Sequence, residues 1–205
     1  RSVRKQKKIF LFLIAFFFFI DGVYTIIDMA TAYGSALGLD STGLLLALLV
    51  TQFVAFPFSI LFGRLAEKYD TGKLILTCIA AYMGITVFAV FMKAQWQFWV
   101  LAIFVGMFQG GIQALSRSYF AKIVPPERSG EYFGLMDICG KGASFMGTTV
   151  VGLASQAFGS INIGVSAIVF LFLAGALFFM KTEHSGSESM KNQENIVMGQ
   201  QMFHD

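Results

Sequence analysis

Four charged side chains stand inside otherwise apolar stretches. Asp21 and Asp28 lie in the first apolar run, and Asp137 and Lys141 lie in the fifth. The runs at 43–62, 74–92, 96–116 and 161–180 hold no charge. A charge near the centre of a bilayer costs roughly 2.5–3.5 kcal/mol on insertion scales, so a chain that keeps four of them on two runs uses them. Asp21 and Asp28 are seven residues apart. At about 100° per residue they share one helix face, roughly 10 Å apart along the axis, with Tyr24 and Thr25 between them.

Counted from Ile9, Asp21 falls near mid-membrane and Asp28 towards the outside. Lys141 also falls near mid-depth, with Asp137 one turn inward on the same face. Two pairings are open. Asp137 and Lys141 are i,i+4 neighbours and can pair locally. Alternatively Lys141 reaches Asp21 across helices, and a proton or solute that breaks the pair throws a switch. Asp28 reads either as part of the site or as a solvated helix-end carboxylate. Gln109, Gln113 and Arg117 follow at four-residue spacing as a polar stripe. Gln both donates and accepts, which suits a polar solute or a bond between helices. Arg117 reaches the cytoplasmic boundary and is expected to snorkel there.

Catalysis fits these residues poorly. The carboxylates lack the Tyr-Asp and Gly-x-Gly-Asp contexts of intramembrane aspartyl proteases: Asp21 follows Phe-Ile, and Tyr69-Asp70 lies in a loop. His184 and His204 lie in the polar tail, so no His stands within a span to activate a serine. No CxxC or His/Cys spacing suggests a metal or cofactor. Cys78 and Cys139 read as small apolar fillers. No partner among nucleic acids is expected; the expected surroundings are a lipid bilayer.

The elements that must carry these residues follow from composition. The chain of 205 residues is 56% hydrophobic and 13% charged, with 24 Phe. About 17–25 apolar residues span a bilayer as a helix, and backbone in lipid must satisfy its own hydrogen bonds. The spacing predicts six transmembrane helices at about 9–32, 43–62, 74–92, 96–116, 131–154 and 161–180. Residues 1–8 form a basic segment resembling a linker, 9–180 the transmembrane domain, and 181–205 a polar tail with a weak Ile196-Val197-Met198 patch. The first run is too long for a signal peptide and lacks a suitable cleavage site. Basic residues cluster before span one and after spans two, four and six, while Lys93 alone marks the opposite side. Both termini are therefore expected in the cytoplasm. Trp96 and Trp99 fall near the outer interface. Gly140, Ser144, Thr148 and Gly152 give span five a small-residue face, and Gly106 and Gly110 do so on span four. Such faces allow close packing or sliding.

Two loops carry a resemblance. The segment 63–73 has Gly63, Arg64, Glu67, Lys68, Gly72 and Lys73 at positions that resemble the loop signature of the major facilitator superfamily, between the second and third helices of a six-helix half. It departs by Glu for the usual Asp and by two extra residues before the second Gly. The loop from Arg117 through Pro125-Pro126-Glu127-Arg128 to Phe133-Gly134 is similar to another cytoplasmic connection of that family. The stretches around Phe19-Ile20-Asp21-Gly22 and Gln109-Gly110-Gly111-Ile112-Gln113 resemble the branch of vacuolar amino-acid effluxers and their bacterial relatives.

The resemblance implies the C-terminal half of a twelve-helix fold, built as two inverted three-helix repeats, with an N-terminal six-helix half as partner. It implies that spans one and four line a cavity, that two and five meet the other half, and that three and six are peripheral. The function it implies is secondary transport of a small polar solute, an amino acid being one candidate, in a bacterial cell membrane. Asp21 would couple or bind. Tyr24, Thr25, Gln109 and Gln113 would line the cavity, Asp137 and Lys141 would form an adjustable charge network, and the 63–73 loop, with Arg117 and Arg128, would hold the cytoplasmic gate. A non-transporting membrane scaffold is the alternative use of the same six spans.

Overall fold

The computed structural model describes residues 2–36 and 38–201, with side chains described over 6–36 and 38–184. Six helices make up nearly all of it: α1 (Ser2–Ala36), α2 (Ser41–Lys68), α3 (Thr71–Val90), α4 (Gln95–Ile123), α5 (Ser129–Phe158) and α6 (Ile161–Gln201). One 3-10 turn, Pro126–Arg128, precedes α5. Five helices are long and apolar enough to cross a membrane. The remaining one, α5, has the length at 30 residues. Its Gly, Ser and Thr, together with Asp137 and Lys141, dilute its hydropathy, and it packs between α1 and α6 instead of facing lipid all round.

The connections are short because polar side chains cap the helix ends. Asp40 Oδ2 accepts from the Gly43 N–H at 2.7 Å to start α2, and Asp70 Oδ1 accepts from the Lys73 N–H at 2.9 Å to start α3. Each satisfies one of the free donors of a first helical turn. The 63–73 loop expected from sequence is consequently mostly helix. Leu65, Ala66, Glu67 and Lys68 are good helix formers and extend α2 to Lys68, leaving only Tyr69 and Asp70 as the turn. Residues 2–8 of the basic segment and 181–201 of the polar tail are likewise helical along their backbones, as continuations of α1 and α6. No proline interrupts either. The Ile196-Val197-Met198 patch lies outside the described side chains, and His204 lies outside the described residues.

Packing interleaves the two halves of the chain. The middle helix of each three-helix repeat lies against the first helix of the other: α2 on α4, and α5 on α1. The third helices, α3 and α6, pack on each other, while α3 lines α4 and α6 lines α1. This exchange is the signature of two repeats related by an in-plane pseudo-twofold axis. Small residues set the closeness. A Cβ on Gly106 would stand 2.6 Å from the Thr51 carbonyl oxygen, and one on Gly110 would run into the Ala55 carbonyl. On α6, Gly175 admits the backbone of Phe19.

Phenylalanines fill the end of the bundle where α1 begins and α4 finishes. Phe12 stacks on Tyr119 and Phe120 with centroids 5.1 and 5.3 Å away, and Phe179 closes the group at 6.1 Å. The opposite end is tied by Tyr33, whose hydroxyl donates to the Ala89 carbonyl at 2.6 Å and lies 3.0 Å from Asn162 Oδ1. That one side chain joins α1, α3 and α6. The faces of α2 and α5 that this chain leaves uncovered are apolar, with Phe53, Phe56, Ile138, Phe145 and Leu153 all exposed.

Candidate functional site

A cavity of about 120 Å³ opens between α1, α4 and α5. Its apolar wall is Phe16, Ile20, Met136 and Gly140, and its polar groups are Tyr24, Gln113, Arg117, Asp137 and Lys141. Helical periodicity explains the set. Phe16, Ile20 and Tyr24 repeat every four residues on α1, and so do Gln113 and Arg117 on α4. Asp137, Gly140 and Lys141 form one face of α5, where Gly140 lets the Phe16 ring approach to 3.6 Å of a Cβ position.

The charge pairing differs from both pairings that the sequence allowed. Arg117 Nη2 lies 2.9 Å from Asp137 Oδ1, joining α4 to α5. Asp137 therefore pairs with Arg117 and not with Lys141, and Arg117 turns into the cavity mouth where snorkelling was expected. Among the described residues Lys141 forms no ion pair, so its ammonium faces the cavity uncompensated.

Asp21 lies elsewhere. It is fully buried, and its Oδ1 accepts from the backbone N–H of Gly147 at 2.8 Å and from Thr25 Oγ1 at 3.4 Å. Its Oδ2 is buried without a hydrogen-bond partner among the described residues. Asp21 sits opposite Gly147 and Phe16 sits against Gly140. That register puts Lys141 level with Phe16, about five residues, or roughly 7 Å, inward of Asp21. The expected shared level of Asp21 and Lys141 fails because the two parallel helices are staggered, which counting from each span's first residue cannot show. Asp28, further out on α1, is exposed. Gln109 is half-buried, and its Oε1, like Ser116 Oγ further along α4, is enclosed without a partner among the described residues.

The end of the bundle where α2 and α4 finish holds a second polar group that sequence reasoning only half found. Arg64, Glu67, Lys68 and Lys73 are exposed, and Gly63 has open space around it. Gly72 is buried, and a Cβ there would meet Glu183 Cδ at 2.8 Å. Tyr119 donates its hydroxyl to Glu183, and Lys122 Nζ donates to Thr71 Oγ1 at 2.9 Å. Glu183 on α6 thus bonds the end of α4 at Tyr119 while packing against the start of α3 at Gly72. Its sequence signal was slight: a single acid just past the sixth apolar run. Arg128 pairs with Glu131 at 2.6 Å one turn away, away from this group. The Glu131 carboxylate raises the pKa of that guanidinium above its ordinary value. Gly147 was also missed, as one glycine among several on a glycine-rich span.

The small-residue face of α5 is shifted from the expected one. Met136, Gly140, Ala143, Gly147 and Val151 are the buried positions, and a Cβ on Gly152 would meet nothing within 4 Å. The faces of α4 at Gly106 and Gly110 are as expected.

The family model described as "Vacuole effluxer Atg22 like" matches residues 1–191. A Bacillus subtilis (strain 168) protein named as an uncharacterized MFS-type transporter, YxiO, is 44% identical over 195 residues, covering 95% of this chain and 46% of the relative. Autophagy-related protein 22-2 of Aspergillus clavatus is 28% identical over 193 residues, covering 85% of the chain and 30% of that protein. Autophagy-related protein 22 of Cryptococcus neoformans is 27% identical over 190 residues, covering 84% and 34%. The chain spans about half or less of the length of these curated relatives. With its six-helix architecture and interleaved repeats, the chain belongs to the Atg22-like vacuole effluxer family, a branch of the major facilitator superfamily with bacterial members.

Proposed function

We propose that this chain forms one half of a secondary transporter that moves a small polar solute, an amino acid being one candidate, by alternating access. The observation that carries the reading is the cavity between α1, α4 and α5, where Tyr24, Gln113, Lys141 and the Arg117–Asp137 pair converge from three helices. Such a setting offers hydrogen-bond donors, acceptors and one surplus positive charge against an apolar wall. The family's description as effluxers supports solute export.

In this reading Lys141 and Tyr24 hold the solute, and the Arg117–Asp137 pair opens and reforms as it passes. Asp21 is the coupling carboxylate, with Thr25 and the Gly147 N–H as its fixed partners and Oδ2, enclosed and unpartnered among the described residues, as the position that takes the proton. The uncovered apolar faces of α2 and α5 meet an N-terminal six-helix half. Glu183, Tyr119 and Gly72 hold the cytoplasmic side closed. Both termini face the cytoplasm.

Uptake and counterflow by the full-length protein in proteoliposomes, screened over amino acids and small organic ions, tests the reading. Saturable solute movement that Lys141→Met removes is the expected result. A correctly folded protein that moves none of them while still assembling with a membrane partner would favour the scaffold role instead.

A further inference from the structure

A second cavity, an apolar groove of about 320 Å³, is lined by residues of α3 and α4. Ala81 and Gly84 form its floor, with Phe88 on one bank and Leu101, Phe104 and Phe108 on the other. Gly84 is instructive. A glycine inside a helix is unfavourable relative to alanine. Gly106 and Gly110 are each required by a neighbouring backbone, but a Cβ on Gly84 would meet nothing within 4 Å. Gly84 deepens the groove and serves no helix contact. From Ala81 to Phe88 the floor runs roughly 10 Å along α3, towards its outer end.

Lys93 stands at that end. It lies on the connection between α3 and α4, with its backbone N–H held by Gln97 Oε1 at 2.8 Å and its side chain exposed. Basic residues cluster on the opposite side of the membrane in the proposed orientation, so this lysine is the exception to the pattern. Trp96, 65% exposed, follows it at the depth where indoles settle. An apolar slot with an exposed lysine on the connection just beyond its end is complementary to a molecule with an alkyl chain below an anionic head.

We propose that the α3–α4 groove binds an anionic phospholipid, with one acyl chain lying over Ala81 and Gly84 and the headgroup phosphate against Lys93. The site is independent of which solute the protein moves. A lysine near a membrane surface favours an anionic lipid by an amount equal to roughly a fivefold preference.

The test is native mass spectrometry of the full-length protein released from nanodiscs of phosphatidylcholine mixed with phosphatidylglycerol. The wild type is expected to retain phosphatidylglycerol over phosphatidylcholine roughly fivefold. Lys93→Gln should abolish the preference and leave total lipid retention nearly unchanged. Gly84→Leu fills open space and should reduce retention of both lipids, with unfolding temperature preserved. Ala81→Leu is a second filling variant should Gly84→Leu fold poorly. Retention that neither filling variant changes, or a headgroup preference that survives Lys93→Gln, overturns the proposal. So does a second protein copy that dissociates on Gly84→Leu, since the groove would then be a protein contact.

Discussion

Asp21 on α1 accepts a hydrogen bond, 2.8 Å long, from the backbone N–H of Gly147 on α5. A carboxylate held by a main-chain donor in the middle of a neighbouring helix fixes the register of two spans with a single contact. It also requires glycine on α5, because a Cβ at 147 would stand 2.5 Å from Asp21 Oδ1 and run into Thr25 Oγ1.

Gly147→Ala should therefore destabilise the protein by about 1–3 kcal/mol, the usual range for overpacking a close interface. Gly152→Ala, on the same helix with open space around it, should be neutral or slightly stabilising. Thermal unfolding of the two variants in one detergent checks this; equal unfolding temperatures would show that the contact does not constrain the bundle.

Asp21→Asn keeps an oxygen that can accept from Gly147 but no longer exchanges a proton. The variant should fold, lose accumulation against a gradient and retain solute exchange. Measured as uptake and counterflow in proteoliposomes, normal accumulation by Asp21→Asn would remove Asp21 from the coupling role and leave Asp137 as the next candidate.

The Arg117–Asp137 pair is 60% and 51% exposed, so as an ion pair it should contribute only about 0–1 kcal/mol. Asp137→Asn should hardly move the unfolding temperature. It should change solute affinity, because Arg117 then joins Lys141 as a second unpaired cation facing the cavity. A large loss of stability with unaltered affinity would make the pair purely structural.

Glu183→Gln weakens the acceptor for Tyr119 beside Gly72. It should shift the population towards the inward-open state, seen as longer distances between spin labels on the cytoplasmic ends of α3 and α6. Glu67→Gln, whose side chain is exposed, should change those distances less.

Cysteines introduced at Lys93 and at Glu127 should differ in access to a membrane-impermeant reagent added from outside, with 93 labelled and 127 protected. The reverse pattern would invert the proposed orientation.

Hydropathy and charge carried most of the fold in the sequence, because bilayer thickness imposes length on each helix and basic loops mark alternate sides. The helix α5 was legible through its flanking apolar runs despite Asp137 and Lys141. Helical periodicity also brought Tyr24, Gln113, Asp137 and Lys141 into one cavity. What failed was stagger. Depth counted from Ile9 or from residue 131 assumes that helices start level, and here α5 is displaced along α1, which separates Lys141 from Asp21. Partners contributed by a backbone, such as the Gly147 N–H, or from a distant helix end, such as Glu183, leave no spacing pattern to read.

The exchange of middle helices between repeats also sets an order of events during synthesis. α2 rests on α4 through Thr51 and Gly106, so its partner does not exist when it enters the bilayer. At roughly 5–20 residues per second, α2 waits on the order of several seconds before α4, the helix it packs on most extensively, is made. Insertion of the first three helices is completed before α2 meets α4. A nascent chain halted after α3 should then show no ordered neighbour for Thr51, whereas one extended past Ile123 should crosslink between cysteines placed at 51 and 106.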